Sequence, residues 1–228
     1  MNDGIADRSY IDHNSKILMD GFKEDINQGM KDLLPMIKEE FELKGIIGLI
    51  TNPFIDLAAI SYFKGMKRTA FKQMAISFEC ARESLETGNF DGTVEKHFPR
   101  FLKLDELYIN AKKRHPKFKD IIESLKQEFT LRIKDLIRLI SEKPNNEPGQ
   151  FNTIGEIYKS VYKNDVDAAK TIQLNELSYI EDRINMVKNY EDLLFIPFGL
   201  RDKVLKVTEK GLQYTKDNYI ANLNRYFE

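Results

Sequence analysis

The chain has no tryptophan, one cysteine and three histidines in 228 residues, and these scarcities remove whole classes of chemistry. A single thiol, Cys80, forbids an internal disulfide and any paired-cysteine metal site. Its neighbours Phe78 and Ala81 belong to an apolar helical pattern, which predicts a small buried thiol rather than a reactive one. None of His13, His97 and His115 follows a glutamate by three residues, so the Glu-x-x-His pattern of di-metal bundles is absent. There is no Gly-rich phosphate loop and no serine nucleophile elbow. Glu79, Glu83 and Glu86 share one helix face, and a solvated face is the expectation for them. The sequence therefore predicts no enzyme, no catalytic residue, no metal and no cofactor.

Charge of one sign is also lacking. Lys+Arg 35 stand against Asp+Glu 36, so overall charge points to no class of partner, nucleic acid included. With 42% hydrophobic and 31% charged residues the chain can fill a core and solvate its surface. The N-terminal MNDGIADRSYIDHN has no basic-then-apolar leader layout, and a cytoplasmic location is expected. One apolar run, 45-GIIGLITNPFIDLAAISYF-63, raises the question of a membrane. A spanning helix needs about 20 apolar residues, and an Asp near a bilayer centre costs roughly 2.5–3.5 kcal/mol. Asn52 followed by Pro53 reads as a helix start, with Asp56 in its first turn. The expectation is a loop entering a buried helix, with membrane contact through 45–63 as the minority reading.

What is present is helical periodicity. Leu18, Phe22, Ile26, Met30, Leu33, Ile37 and Phe41 recur at three or four residues and predict one stripe, kinked or divided at Pro35. A second helical region runs from Pro53 to about Glu86 and stops at Gly88. The segment 90–115 carries a broken pattern interrupted at Pro99. From Phe118 to Ile140 the apolar face is continuous. The stretch 142-EKPNNEPGQ-150 cannot sustain regular structure and divides the chain into a helical domain, 1–145, and a second domain, 151–228. Short helices follow over about 153–163 and from Val166 to about Gln173, with a turn at Asn164-Asp165, and a third carries Leu177, Ile180, Ile184 and Val187. Then 193-LLFIP-197 and 204-VLKVT-208 read as strands joined by a turn at 198–203. Thr208 would cap a last helix with Leu212, Thr215, Tyr219, Leu223 and Tyr226 on one face.

Three helices, two strands and a helix is the order of a winged helix-turn-helix domain. The stretch 191-EDLLFIPFGLRDKVLKVTEKGLQY-214 resembles the ending of that family, in which a hairpin wing leads through a Thr-x-x-Gly step into a closing helix. The fold class expected is thus mainly α: an N-terminal helical bundle followed by a C-terminal winged-helix α+β module with a short two-stranded hairpin. The resemblance implies a transcription regulator that binds double-stranded DNA, as a homodimer through its long helices. It makes 175–188 the recognition helix, with Asn175, Ser178, Tyr179 and Arg183 facing bases, and Arg201 and Lys203 on the wing touching phosphate. A rival parse of 83–183 loosely resembles the helical effector domains of GntR-type regulators, but Ile154 and Glu176 stand where its metal-binding histidines belong.

The charge of this module argues the other way. Residues 151–228 hold eleven Lys+Arg and twelve Asp+Glu, whereas phosphate binding depends on cations that release counterions. The alternative is a non-DNA-binding helical adaptor whose winged helix makes protein contacts. The densest positive run, 112-KKRHPKFK-119, offers Lys112, Lys113, Arg114, Lys117 and Lys119 as a basic patch for an anionic partner. Lys64, Lys67, Arg68 and Lys72 form a second basic group.

Overall fold

The computed structural model describes residues 3–41, 45–103, 118–145, 149–172 and 198–228. Its elements are α1 (Asp3–Phe41), α2 (Gly45–Thr87), α3 (Phe90–Lys103), α4 (Phe118–Ser141), α5 (Ile154–Val161) and α6 (Phe198–Phe227). A further helical stretch occupies 166–172. Among the described residues there is no strand.

Direction follows from the polar pairs that tie the helices together. Arg8 meets Glu86 and Arg82 meets Asp12, so α1 and α2 are antiparallel. Lys210 meets Glu40, Tyr214 meets Asp32 and Arg225 meets Asp25, so α6 runs antiparallel along α1. On α3, Arg100 reaches Glu79 and Lys96 reaches Glu83 of α2. Phe98 and Phe101 both pack tilted against Phe129 of α4, with ring centroids 5.8 and 4.8 Å apart. The core joins Leu18, Phe78, Cys80, Leu125, Phe129, Ile133 and Ile140 with Ile157, Tyr158, Leu223 and Tyr226, so segments on both sides of 142–150 share it.

Local chemistry sets the helix ends. At Gly88, with φ of +67°, the chain enters the left-handed region and its amide returns to the Ser84 carbonyl at 3.0 Å, which stops α2. Asn89 then caps α3 by accepting from the Gly92 amide at 3.0 Å. Thr153 caps α5 through the Glu156 amide at 3.2 Å, and the Glu156 carboxylate accepts from the Asn152 amide at 2.7 Å. Asp165 accepts from the amides of Asp167 and Ala168, opening the stretch at 166. The C-terminal carbonyls of α4 are met by Asn14, which donates to Ile140 and Glu142 at 3.2 and 2.8 Å.

Several expectations are corrected. The two-stranded hairpin of a winged helix is not formed: 204–208 and the supposed turn 198–203 are all helix, within α6. The first predicted strand, 193–197, lies outside the described residues. The β preference of Val204 and Val207 is worth only tenths of a kcal/mol against helix. A lone two-stranded hairpin is marginal in water, whereas a helix here extends the seam that α6 forms with α1. Thr208 consequently lies inside α6 and caps nothing. Pro35 and Pro99 sit within α1 and α3 without ending them. Both prolines are exposed, as are Lys31 and Glu95, whose carbonyls lose their helical partners at positions open to water. Helix α2 begins at Gly45 and passes through Asn52 and Pro53, so no loop precedes Pro53. No helix among the described residues is long and apolar enough to cross a membrane.

Candidate functional site

A cavity of about 380 Å³ lies where α1, α2, α4 and α6 surround a space closed on one side by Tyr158 of α5. The α1 wall is Phe22, Ile26, Met30 and Leu33, the stripe that the sequence shows. From α2 come Met74 and Phe78, and from α4 Leu136 and Leu139. Gly29 lets α6 come close: a Cβ there would meet the Asn218 amide nitrogen at 3.6 Å and the Tyr214 ring at 3.9 Å. Opposite this apolar wall, α6 presents Tyr214, Thr215, Asn218, Tyr219 and Asn222.

The ionisable groups at the rim are largely satisfied by other protein groups. Asp25 accepts from Tyr226 and from Arg225, the latter at 2.6 Å. Burial, and then the bond to Asp25, push the Tyr226 phenol far up from its ordinary value, so it remains a neutral donor. Tyr214 donates to Asp32 at 2.7 Å, and burial together with that carboxylate pushes its phenol up to about 12. Asp135 accepts from the Tyr162 hydroxyl, and burial raises its carboxyl above the usual range. Arg132 is paired with Glu128 at 3.0 Å. Asn218 and Asn222 differ from these. They stand one turn apart on the same face, and neither amide is engaged by another described residue. The cavity is therefore close to neutral and mainly apolar, with Gln73 and Ser77 of α2, Thr215 of α6 and the amides of Asn218 and Asn222 among its uncharged polar groups.

A second constellation joins α2 to α3. His97 is fully buried, with Nε2 2.7 Å from a Glu83 oxygen and Nδ1 3.0 Å from Arg100 Nη1. A guanidinium only donates, so Nδ1 accepts and the proton sits on Nε2, which donates to Glu83. Arg100 also forks onto Glu79 at 2.8 and 2.9 Å, and that bond holds the Glu79 carboxyl below its usual range. Of the three carboxylates expected as a plain solvated face, Glu79 and Glu83 thus tie α3 to α2, while Glu86 pairs with Arg8 of α1. With His97 enclosed by protein partners, the group has no vacancy for a reacting molecule, and its work is structural.

Of the residues predicted for DNA and for the basic patch, only Arg201, Lys203 and Lys119 fall among the described residues. Asn175, Ser178, Tyr179 and Arg183 lie outside the described residues, as do Lys112, Lys113, Arg114 and Lys117. Arg201 and Lys203 belong to the first two turns of α6, not to a wing. Lys119 is exposed at the start of α4. Sequence reasoning missed the polar wall: Thr215 and Tyr219 were placed on one face of the last helix with Leu212, Leu223 and Tyr226, and Asn218 and Asn222 were not singled out. No family model matches the chain, and neither a curated protein nor a solved structure matches it.

Proposed function

We propose that the protein binds a small, mainly apolar, uncharged molecule in the cavity between α1, α2, α4 and α6. The observation that carries this reading is the combination of volume and lining. About 380 Å³ falls within the range of small-molecule sites, and two unengaged amides line a mainly apolar space. An uncharged ligand fits because Asp25 and Asp135 already hold protein donors and Arg132 is paired. A ligand carrying a net charge would meet no free opposite charge and would lose its hydration without return. The ligand's hydrogen-bonding edge would lie along Asn218 and Asn222, and its apolar body against Phe22, Met74 and Phe78.

A DNA-binding or adaptor role through a β wing is left without its wing, since 198–207 are helical.

The direct test is titration with Nile red, an uncharged apolar dye with hydrogen-bond acceptors, followed by its fluorescence. Saturable binding is expected in the wild type. Ala70→Phe, which fills the cavity from α2, should weaken it by at least about tenfold, or ~1.4 kcal/mol. Asn218→Leu should weaken it less while keeping the fold. Saturable binding that is unchanged in Ala70→Phe would remove the cavity as the site, and absence of binding in the wild type would remove the proposal.

A further inference from the structure

Between Leu57 and Phe78 the chain contains no Asp or Glu, although about one residue in six of the whole is acidic. The same stretch contains Lys64, Lys67, Arg68 and Lys72. All four lie on α2, at positions that helical spacing brings to one side together with Phe71 and Ala75. Lys64, Arg68, Lys72 and Ala75 are exposed, and these residues with Lys67 and Phe71 line a shallow surface depression. The Lys67 ammonium stands 5.5 Å from the centroid of the Phe71 ring. Among the described residues no carboxylate pairs with Lys64, Arg68 or Lys72.

The other half of the same helix is built differently. There Glu79, Arg82, Glu83 and Glu86 each hold an opposite charge on α1 or α3. Pairing of charges thus stops where the acid-free stretch begins. In the N-terminal direction the cations give way to 45–63, in which Asp56 is the single charged residue. Cations at the margin of an apolar helical segment are the arrangement that settles at a lipid–water interface, apolar surface in the acyl boundary and ammonium groups among phosphates.

We propose that this face of α2 docks on an anionic phospholipid surface, with Lys64, Lys67, Arg68 and Lys72 at headgroup level and Phe71 between them. Nucleic acid fits the patch less well. The four cations span residues 64–72, about 12 Å of helix, and they continue into an apolar run instead of further cations along a phosphate backbone. No described helix is long and apolar enough to cross a membrane.

The full chain would be co-sedimented with vesicles of phosphatidylcholine alone and of phosphatidylcholine mixed with phosphatidylserine. Binding to the mixed vesicles only, weakening as salt rises, is expected. Each cation near such a surface contributes about fivefold, so Lys64→Gln, Arg68→Gln and Lys72→Gln together should weaken binding on the order of a hundredfold. The pair Lys16→Gln and Lys163→Gln, at exposed positions elsewhere, should weaken it much less. Because all three patch side chains are exposed, the triple variant should keep its helical circular dichroism and melting temperature. Equal binding to both vesicle types, no binding to either, or an unchanged affinity in the triple variant would each overturn the proposal. So would displacement of the protein from mixed vesicles by duplex DNA at equal phosphate concentration, which would assign the patch to nucleic acid.

Discussion

Replacing Gly155 by alanine probes how closely α5 meets the C-terminal end of α6. A Cβ at Gly155 would lie 2.6 Å from the Tyr226 carbonyl oxygen and 3.4 Å from its carbon. Backbone stands on both sides of that contact, so no side chain can rotate away and one helix must shift. Overpacking of this kind costs about 1–3 kcal/mol. The helix-propensity gain of alanine offsets at most ~1 kcal/mol of it, and less in the first turn of α5, where Gly155 sits. Gly29→Ala is the matched control. Its Cβ would make ordinary contacts at 3.6 and 3.9 Å, so relief of backbone entropy should stabilise the protein by about 0.5–1 kcal/mol. The two variants should then differ by roughly 2 kcal/mol, which for a chain of this size is about 4–8 °C in melting temperature. Thermal unfolding followed by far-UV circular dichroism measures it. If Gly155→Ala melts at or above Gly29→Ala, the seating of α5 against α6 is wrong, and with it the placement of Tyr226 at the cavity.

Two further outcomes follow from buried titratable groups. Burial raises the Asp135 carboxyl above its ordinary value, so the folded chain holds this proton to higher pH than the unfolded chain. Its contribution is fully present below the unfolded value and is lost as pH rises through the folded one. Asp135→Asn keeps an acceptor for Tyr162 and should melt higher than the wild type at neutral pH, with the difference shrinking in acid; a difference that grows in acid would refute the assignment. Burial pushes the Cys80 thiol up to about 11 and leaves the residue with no exposure. An aromatic disulfide reagent should therefore label one thiol per chain in guanidinium and essentially none in the native protein.

The parts of this fold that were legible in the sequence are those where one side chain decides. The α1 stripe from Leu18 to Phe41 follows from spacing alone, and it turns out to be one wall of the cavity. Gly88 ends α2 because only a residue at ease with positive φ fits there. The prolines do not divide their helices, because the cost of an internal proline depends on where the freed carbonyl points. At Pro35 and Pro99 the residues that lose a partner are exposed, so the penalty stays small enough for packing to override. The stretch 204–208 misled for a related reason. Its β preference is local and weak, while the seam that decides its state pairs Lys210 with Glu40 and Tyr214 with Asp32, residues distant in sequence. The polar wall of the cavity was hidden by the same gap. Asn218 and Asn222 are polar and half-buried, and only the position of α1 and α4 sets an apolar wall opposite them.

Two adjacent turns of α2 carry both proposed surfaces, and their geometry makes the surfaces separable. Successive residues on a helix are rotated by about 100°. Ala70, Gln73, Met74 and Ser77 therefore face the cavity, while Arg68, Lys72 and Ala75 face outward from the same turns. The cations are exposed, so water and salt screen them, and their removal should change the potential inside the bundle little. The triple glutamine variant at 64, 68 and 72 should accordingly bind Nile red as the wild type does, while Ala70→Phe should sediment with anionic vesicles undiminished. Loss of both activities in either variant, with helicity intact, would mean that 64–75 acts as one surface and that the division of α2 into an inner and an outer face is false.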